Sequence, residues 1–167
     1  MRRALGAQAP YLRRFARSLV TDPAIADDLV QDTLERAISR SHQFDKTRDL
    51  RPWLFRILRN LNISQFRRAQ RRGVHLPLDA APDAALATPP AHDSDMAVRD
   101  ISKALELLPF EQREVLVLVA LEGMKYREVG DVLNIPIGTV MSRLSRARER
   151  LRELLQYPVQ PPLRRVK

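Results

Sequence analysis

Thr139, Ser142, Arg143, Arg146 and Arg150 recur at helical spacing on one side of residues 138–156, and Val140, Leu144, Ala147 and Leu151 recur on the other. Hydroxyls and guanidinium groups aligned on an exposed helix are the donors that duplex DNA accepts. Arginine can pair bidentately with guanine O6 and N7, and serine or threonine can bond bases or phosphates. The same composition also describes an ordinary surface helix whose arginines pair with Glu149 and Glu153. What favours the first reading is the segment before it. Gly130 supplies a small residue where two helices can cross, and four residues later Asn134 tolerates the left-handed turn conformation. Val129, Leu133, Ile135 and Val140 have the spacing of contacts between the paired helices. Residues 126–152 are therefore expected to form a helix-turn-helix.

A second group has the opposite charge. Asp28, Gln31, Asp32 and Glu35 share the outer face of an early helix. With Asp27 these carboxylates raise the possibility of a metal-dependent nuclease, but they run along one helix with no convergent second ligand set. His42, His75 and His92 are isolated in turns or in the linker, as solvated residues are, and no metal site or cofactor is expected. The chain has no cysteine, which excludes disulfides and thiolate metal sites and fits a reducing cytosol.

The formal charge of +9 is distributed unevenly. Residues 1–72 carry 16 basic and 7 acidic groups, residues 73–95 carry four aspartates and no Lys or Arg, and residues 96–167 carry 13 basic and 9 acidic groups. Two basic blocks joined by an acidic strap suggest two surfaces for a polyanion, although solvated helical surfaces would share that pattern. The first residues lack the apolar core of a signal peptide, and the longest apolar run, 115–121, is too short to span a bilayer. A cytoplasmic protein is expected.

The elements needed to hold these groups are all helical. Leu12, Phe15, Ala16 and Leu19 form one stripe. Asp22-Pro23 starts a second helix, with Asp22 as N-cap and Ala26, Leu29, Val30, Thr33, Ala37 and Ile38 facing inward. A third covers about 50–72, with Trp53, Leu54, Ile57, Leu58, Leu61 and Phe66 on its apolar side. Four prolines interrupt residues 73–95, a linker able to reach roughly 75–80 Å, so the flanking domains need not touch. Helices resume with Met96, Ile101, Ala104, Leu105 and Leu108, then 110–122 closed by Gly123, then 126–133 and 138–156. The expected fold is all-α: a domain at 1–72, the linker, a domain at 96–157 and a tail at 158–167.

Three stretches together resemble one family. IPIGTVMSRLSRARERL at 135–151 resembles region 4 of sigma factors of the extracytoplasmic-function (ECF) group of bacterial RNA polymerase. DDLVQDTLERA at 27–37 resembles region 2.2, and LRPWLFRILRNLNISQFRR at 50–68 resembles regions 2.3 and 2.4. The resemblance spans about residues 8–72 and 96–156, and within the group it is similar to the general-stress and stress-response factors of proteobacteria. It implies that Asp28, Gln31, Asp32 and Glu35 dock on the β′ clamp helices of core RNA polymerase, with the β flap as a further contact. Arg56, Arg59, Asn60, Arg67 and Arg68, with Arg71 and Arg72 behind them, would meet the −10 strand, where Asn60 would help hold a flipped-out base. Trp53 matches the family's tryptophan, but its spacing suits core rather than a base-stacking platform. Thr139, Ser142, Arg143, Arg146 and Arg148 would contact the −35 duplex. Met141 stands where some relatives place an arginine, so the preferred −35 sequence is expected to differ. The acidic linker would thread polymerase near the active site, as a backbone mimic or as a passive spacer. An anti-sigma factor is an expected partner, and no enzymatic activity is implied. A stand-alone helix-turn-helix regulator is the competing reading, and would bind a symmetric operator without polymerase.

Overall fold

The computed structural model describes residues 2–71 and 93–156. Among these are eight α-helices and no strand: α1 (Arg2–Gly6), α2 (Ala9–Leu19), α3 (Pro23–Ser39), α4 (Leu50–Arg71), α5 (Asp93–Glu106), α6 (Phe110–Leu116), α7 (Tyr126–Leu133) and α8 (Ile137–Gln156). A 3-10 turn at Ser41–Gln43 leads toward α4, and a π-helical turn at Val117–Leu121 follows α6. The linker expected at 73–95 lies outside the described residues except for 93–95, which open α5; Arg72 and the tail at 158–167 also lie outside them.

The first bundle forms where the apolar stripes meet. Leu12, Phe15 and Ala16 of α2, Ala26, Leu29 and Ala37 of α3, and Leu54 and Leu58 of α4 are all buried. Asp22 caps α3 by accepting the Ala24 amide at 2.8 Å, and Pro23 occupies the first turn, where a missing N–H costs little. Phe55 is fully buried and its ring lies 5.1 Å from that of Phe15. Three residues depart from expectation. Ile38, assigned inward, is exposed because it lies about 100° round the helix from Ala37, beyond the edge of the buried stripe; Ile101 of α5 is exposed as well. Leu5 of α1, a helix the sequence pattern did not suggest, is buried. Trp53 is partly buried, its ring 5.0 Å from that of Phe44.

In the second bundle α7 and α8 form the helix-turn-helix. Asn134 takes φ 54° and ψ 51°, the left-handed conformation anticipated for the turn. Gly130 is buried at the crossing: a Cβ there would stand 3.0 Å from the Ile135 carbonyl oxygen. The continuous helix expected over 110–122 changes winding instead. After α6 the chain widens into the π turn, the Glu122 amide donating to the Val117 carbonyl at 3.1 Å, and Gly123 at φ +66° ends it.

The two bundles touch, which the long linker did not require. Helices α2 and α4 of the first pack on α6, the π turn and α7 of the second. One continuous set of buried apolar residues runs through both.

Candidate nucleic-acid interface

The contact between the bundles centres on two buried carboxylates. Glu114 lies on the inward stripe of α6 between Phe110 and Leu118, and is 0% exposed. Its partner is Arg59 of α4: Nε donates to Oε1 at 2.8 Å and Nη2 to Oε2 at 3.4 Å. The Arg59 side chain retains only 17% exposure. Burial pushes the Glu114 carboxyl above its ordinary value, partly offset by the attraction of Arg59. Eight residues on, Glu122 is also buried and accepts from Arg14 of α2, Nε at 3.0 Å and Nη2 at 3.2 Å. That bond raises the Arg14 pKa further above its ordinary value.

Arg59, assigned to the −10 surface, is therefore not presented to solvent in this conformation; a carboxylate of the opposite bundle occupies it. Its neighbours remain available: Arg56, Asn60, Arg67 and Arg68 are exposed along α4. Asn60 and Arg68 line an open groove between α3 and α4 together with Asp32, Glu35 and Gln65. The acidic face and the amide assigned to a flipped base thus share one groove, and the Gln65 side-chain amide donates to Asp32 at 3.2 Å. On the same acidic face Gln31 donates to Glu35 at 3.0 Å, and Asp28 is exposed. Before α4, the Thr47 hydroxyl and backbone amide both donate to Asp45, which holds its carboxyl below the ordinary range. Arg48 and Arg56 line a cleft with Glu128 and Asp131 of α7, so acidic side chains of the second bundle stand beside the basic face of the first.

On α8 the two faces separate as expected. Val140, Leu144 and Ala147 are buried, while Ser142, Arg146 and Arg148 are exposed. Ser142 is turned back locally, its hydroxyl donating to the Thr139 carbonyl at 3.1 Å, and Thr139 is half-buried. Arg143 departs from its assignment. It is 20% exposed and pairs with Glu111 of α6 at 2.8 Å, so in this conformation it braces α8 rather than facing outward. Arg150 pairs with Glu153 one turn on, at 2.9 Å. The surface-helix reading thus describes Arg150, while Arg146 and Arg148 remain on the open face.

Sequence patterning missed both carboxylates of the bundle contact. The available signal was Glu114 at an inward position, four residues from Phe110 and four from Leu118, in an otherwise apolar run. A charge there requires a partner, but spacing alone does not name one 55 residues away. For the nuclease reading, no group of three or more His, Cys, Asp or Glu among the described residues is arranged to hold a metal ion. No helix among them is long and apolar enough to cross a membrane.

Two helical bundles, one ending in a helix-turn-helix and each bearing arginines on an open helix face, define a transcription factor of the sigma type. Residues 5–59 match the family model described as the Sigma2 domain of PhyR, and residues 99–151 match Sigma-70, region 4. The chain is 39% identical to the ECF RNA polymerase sigma factor EcfG of Rhodopseudomonas palustris (strain TIE-1), over 89% of its own length and 81% of the relative's. Among solved structures it resembles the sigma factor RpoE in complex with the anti-sigma factor NepR from Bartonella quintana. That match has TM-score 0.79 and 38% identity, and covers 93% of this chain and 96% of that one. It also resembles CnrH in complex with the cytosolic domain of CnrY, with TM-score 0.66 and 28% identity over 92% and 86% of the two chains. The chain belongs to the ECF RNA polymerase sigma factors.

Proposed function

We propose that the chain directs core RNA polymerase to promoters by dividing the work between its two bundles. The carrying observation is the pair of open basic faces, Asn60, Arg67 and Arg68 on α4 and Ser142, Arg146 and Arg148 on α8. The first takes the unwound −10 strand, where arginines neutralise phosphates and an amide can bond the Watson–Crick edge of an extruded base. The second takes the −35 duplex in its major groove. Asp28, Gln31, Asp32 and Glu35 dock on the β′ clamp helices, with the β flap taking the second bundle.

The bundle contact supports a conditional mode of action. While Arg59 is held by Glu114, the −10 face is one cation short and is flanked by Glu128 and Asp131. Polymerase docking separates the bundles, releases Arg59 and sets the distance between the two readers. No step needs a catalytic residue, and the protein acts in the cytoplasm as a non-enzymatic initiation factor. The anti-sigma complexes of the structural relatives support control by an anti-sigma factor, and a stress response is the setting proposed for it. Thr139 and Arg143 act in support of the reading face, by buttressing α8.

The deciding experiment is run-off transcription with purified core polymerase on a promoter library, with and without the chain. Specific starts that depend on the chain are expected. Tight promoter binding by the chain alone, with no dependence on polymerase, would instead identify a stand-alone regulator.

A further inference from the structure

Eight large apolar side chains are exposed among the described residues, and two of them stand one turn apart at the start of α8: Ile137, 50% exposed, and Met141, 51% exposed. They do not belong to the inward stripe, which runs through Val140, Leu144 and Ala147. Met141 instead borders a shallow depression with Tyr126, Ser145, Arg148, Glu149 and Arg152, on the flank of α8 next to α7. Water-facing apolar groups on a helix this rich in arginine gain nothing in the free protein.

The residues in the N-terminal part of a recognition helix are the ones that reach base edges. A major groove presents one apolar feature to such residues, the C5-methyl group of thymine. Surrounding charge selects the occupant: Arg148 and Arg152 outnumber Glu149 beside Met141, and Arg146 is exposed on the same helix, so the partner is a polyanion rather than an apolar protein groove. We infer that Ile137 and Met141 read thymine methyl groups in the −35 duplex, so that this chain recognises through apolar contact a step that an arginine at position 141 would read by hydrogen bonds. The inference rests on the proposed −35 role of α8 and adds the identity of the base feature read.

The test uses holoenzyme reconstituted from core polymerase and the full chain. Duplexes randomised in the −35 region are selected for binding, and each thymine of the selected element, on either strand, is then replaced by deoxyuridine. This replacement removes one methyl group and leaves pairing intact. At one or two positions it is expected to weaken binding of the unaltered holoenzyme about fourfold per methyl group. With Met141→Ala or Ile137→Ala the corresponding position should become insensitive to the replacement, while Arg146→Ala should keep the sensitivity. Both apolar side chains are exposed, so neither alanine variant disturbs the core, and circular dichroism checks this. Deoxyuridine effects that persist unchanged in both alanine variants, or no thymine sensitivity at all in an enriched element, overturn the inference but leave −35 recognition standing. Loss of core association in Met141→Ala also overturns it, making the pair a protein contact. Failure to enrich any −35 sequence overturns both the inference and the function assigned to α8.

Discussion

Replacing Arg59 by alanine isolates the contact between the bundles. The substitution leaves the Glu114 carboxylate fully buried with its cross-bundle donor gone, since Arg59 supplies two hydrogen bonds to it from the opposite side. Breaking a buried pair by removing one partner costs about 3–5 kcal/mol, because the remaining charge is neither solvated nor matched. Spent on the closed arrangement, that is a shift of about two to four powers of ten toward separated bundles. Proton uptake limits the loss. Burial already raises the Glu114 pKa, so closed chains bind a proton more readily than open ones. The contribution of this group to the closed state is therefore greatest at low pH and falls as pH rises through its raised pKa. Without Arg59 the pKa rises further, so the variant should be open at neutral pH and close again on acidification. A second substitution, Glu114→Gln, removes the buried charge and should restore closure at neutral pH. The native chain has no cysteine, so dyes on Ser39→Cys and Ser145→Cys can report the separation by energy transfer. An Arg59→Ala chain that stays closed at neutral pH, or one that opens but is not rescued by Glu114→Gln, would refute the argument.

Other outcomes follow from single positions. Arg146→Ala should reduce discrimination between −35 sequences by about 1–3 kcal/mol while core polymerase still co-purifies; unchanged promoter preference in the reconstituted holoenzyme would remove Arg146 from the reading face. Asp32→Arg should impair association with core polymerase without loss of helicity, and normal co-purification would count against the acidic-face assignment. Gly130→Ala brings a methyl group to 3.0 Å from the Ile135 carbonyl oxygen, and should destabilise the second bundle by about 1–3 kcal/mol in thermal or denaturant unfolding. Asn134→Val places a β-branched residue at φ 54° and should cost about 1–2 kcal/mol in the same assay, whereas Asn134→Gly should cost little.

Much of this was legible because helices advertise their buried face through periodicity. The stripes through Leu12, Leu29 and Leu54 were readable, as were the Asp22 cap, the Gly130 crossing and the left-handed Asn134, since each depends on residues a few positions away. Contacts between distant segments leave no such trace. Arg59 and Arg143 look like free cations in the sequence, but each is engaged by a carboxylate from another helix, Glu114 and Glu111. Phe55 escaped notice because it lies beside Leu54 rather than three or four residues from it, and the helix there is buried over a wider arc than one stripe. Ile38 erred the other way: one position past the buried Ala37, it lies about 100° off the face that the bundle covers. Ser142 and Arg146 were picked out by spacing before any resemblance, whereas Asn60, Arg67, Arg68 and Arg148 came from the family resemblance; the structure leaves all six exposed.

The widened turn at Val117–Leu121 has a consequence for how the bundles mate. In an unbroken α-helix each residue advances about 100°, so two side chains eight positions apart point about 80° away from each other. A π turn inserts one residue's worth of backbone without advancing the phase, which brings the same two side chains to within about 20°. Glu114 and Glu122 are eight apart and straddle this turn, and both are met by arginines from the same neighbouring bundle. The irregular winding acts as a phase correction, aligning two teeth of a key on one edge. Winding the same eight residues as regular α-helix would keep one tooth in its lock and rotate the other out, whereas deleting a single residue within the turn would straighten the helix and leave both aligned.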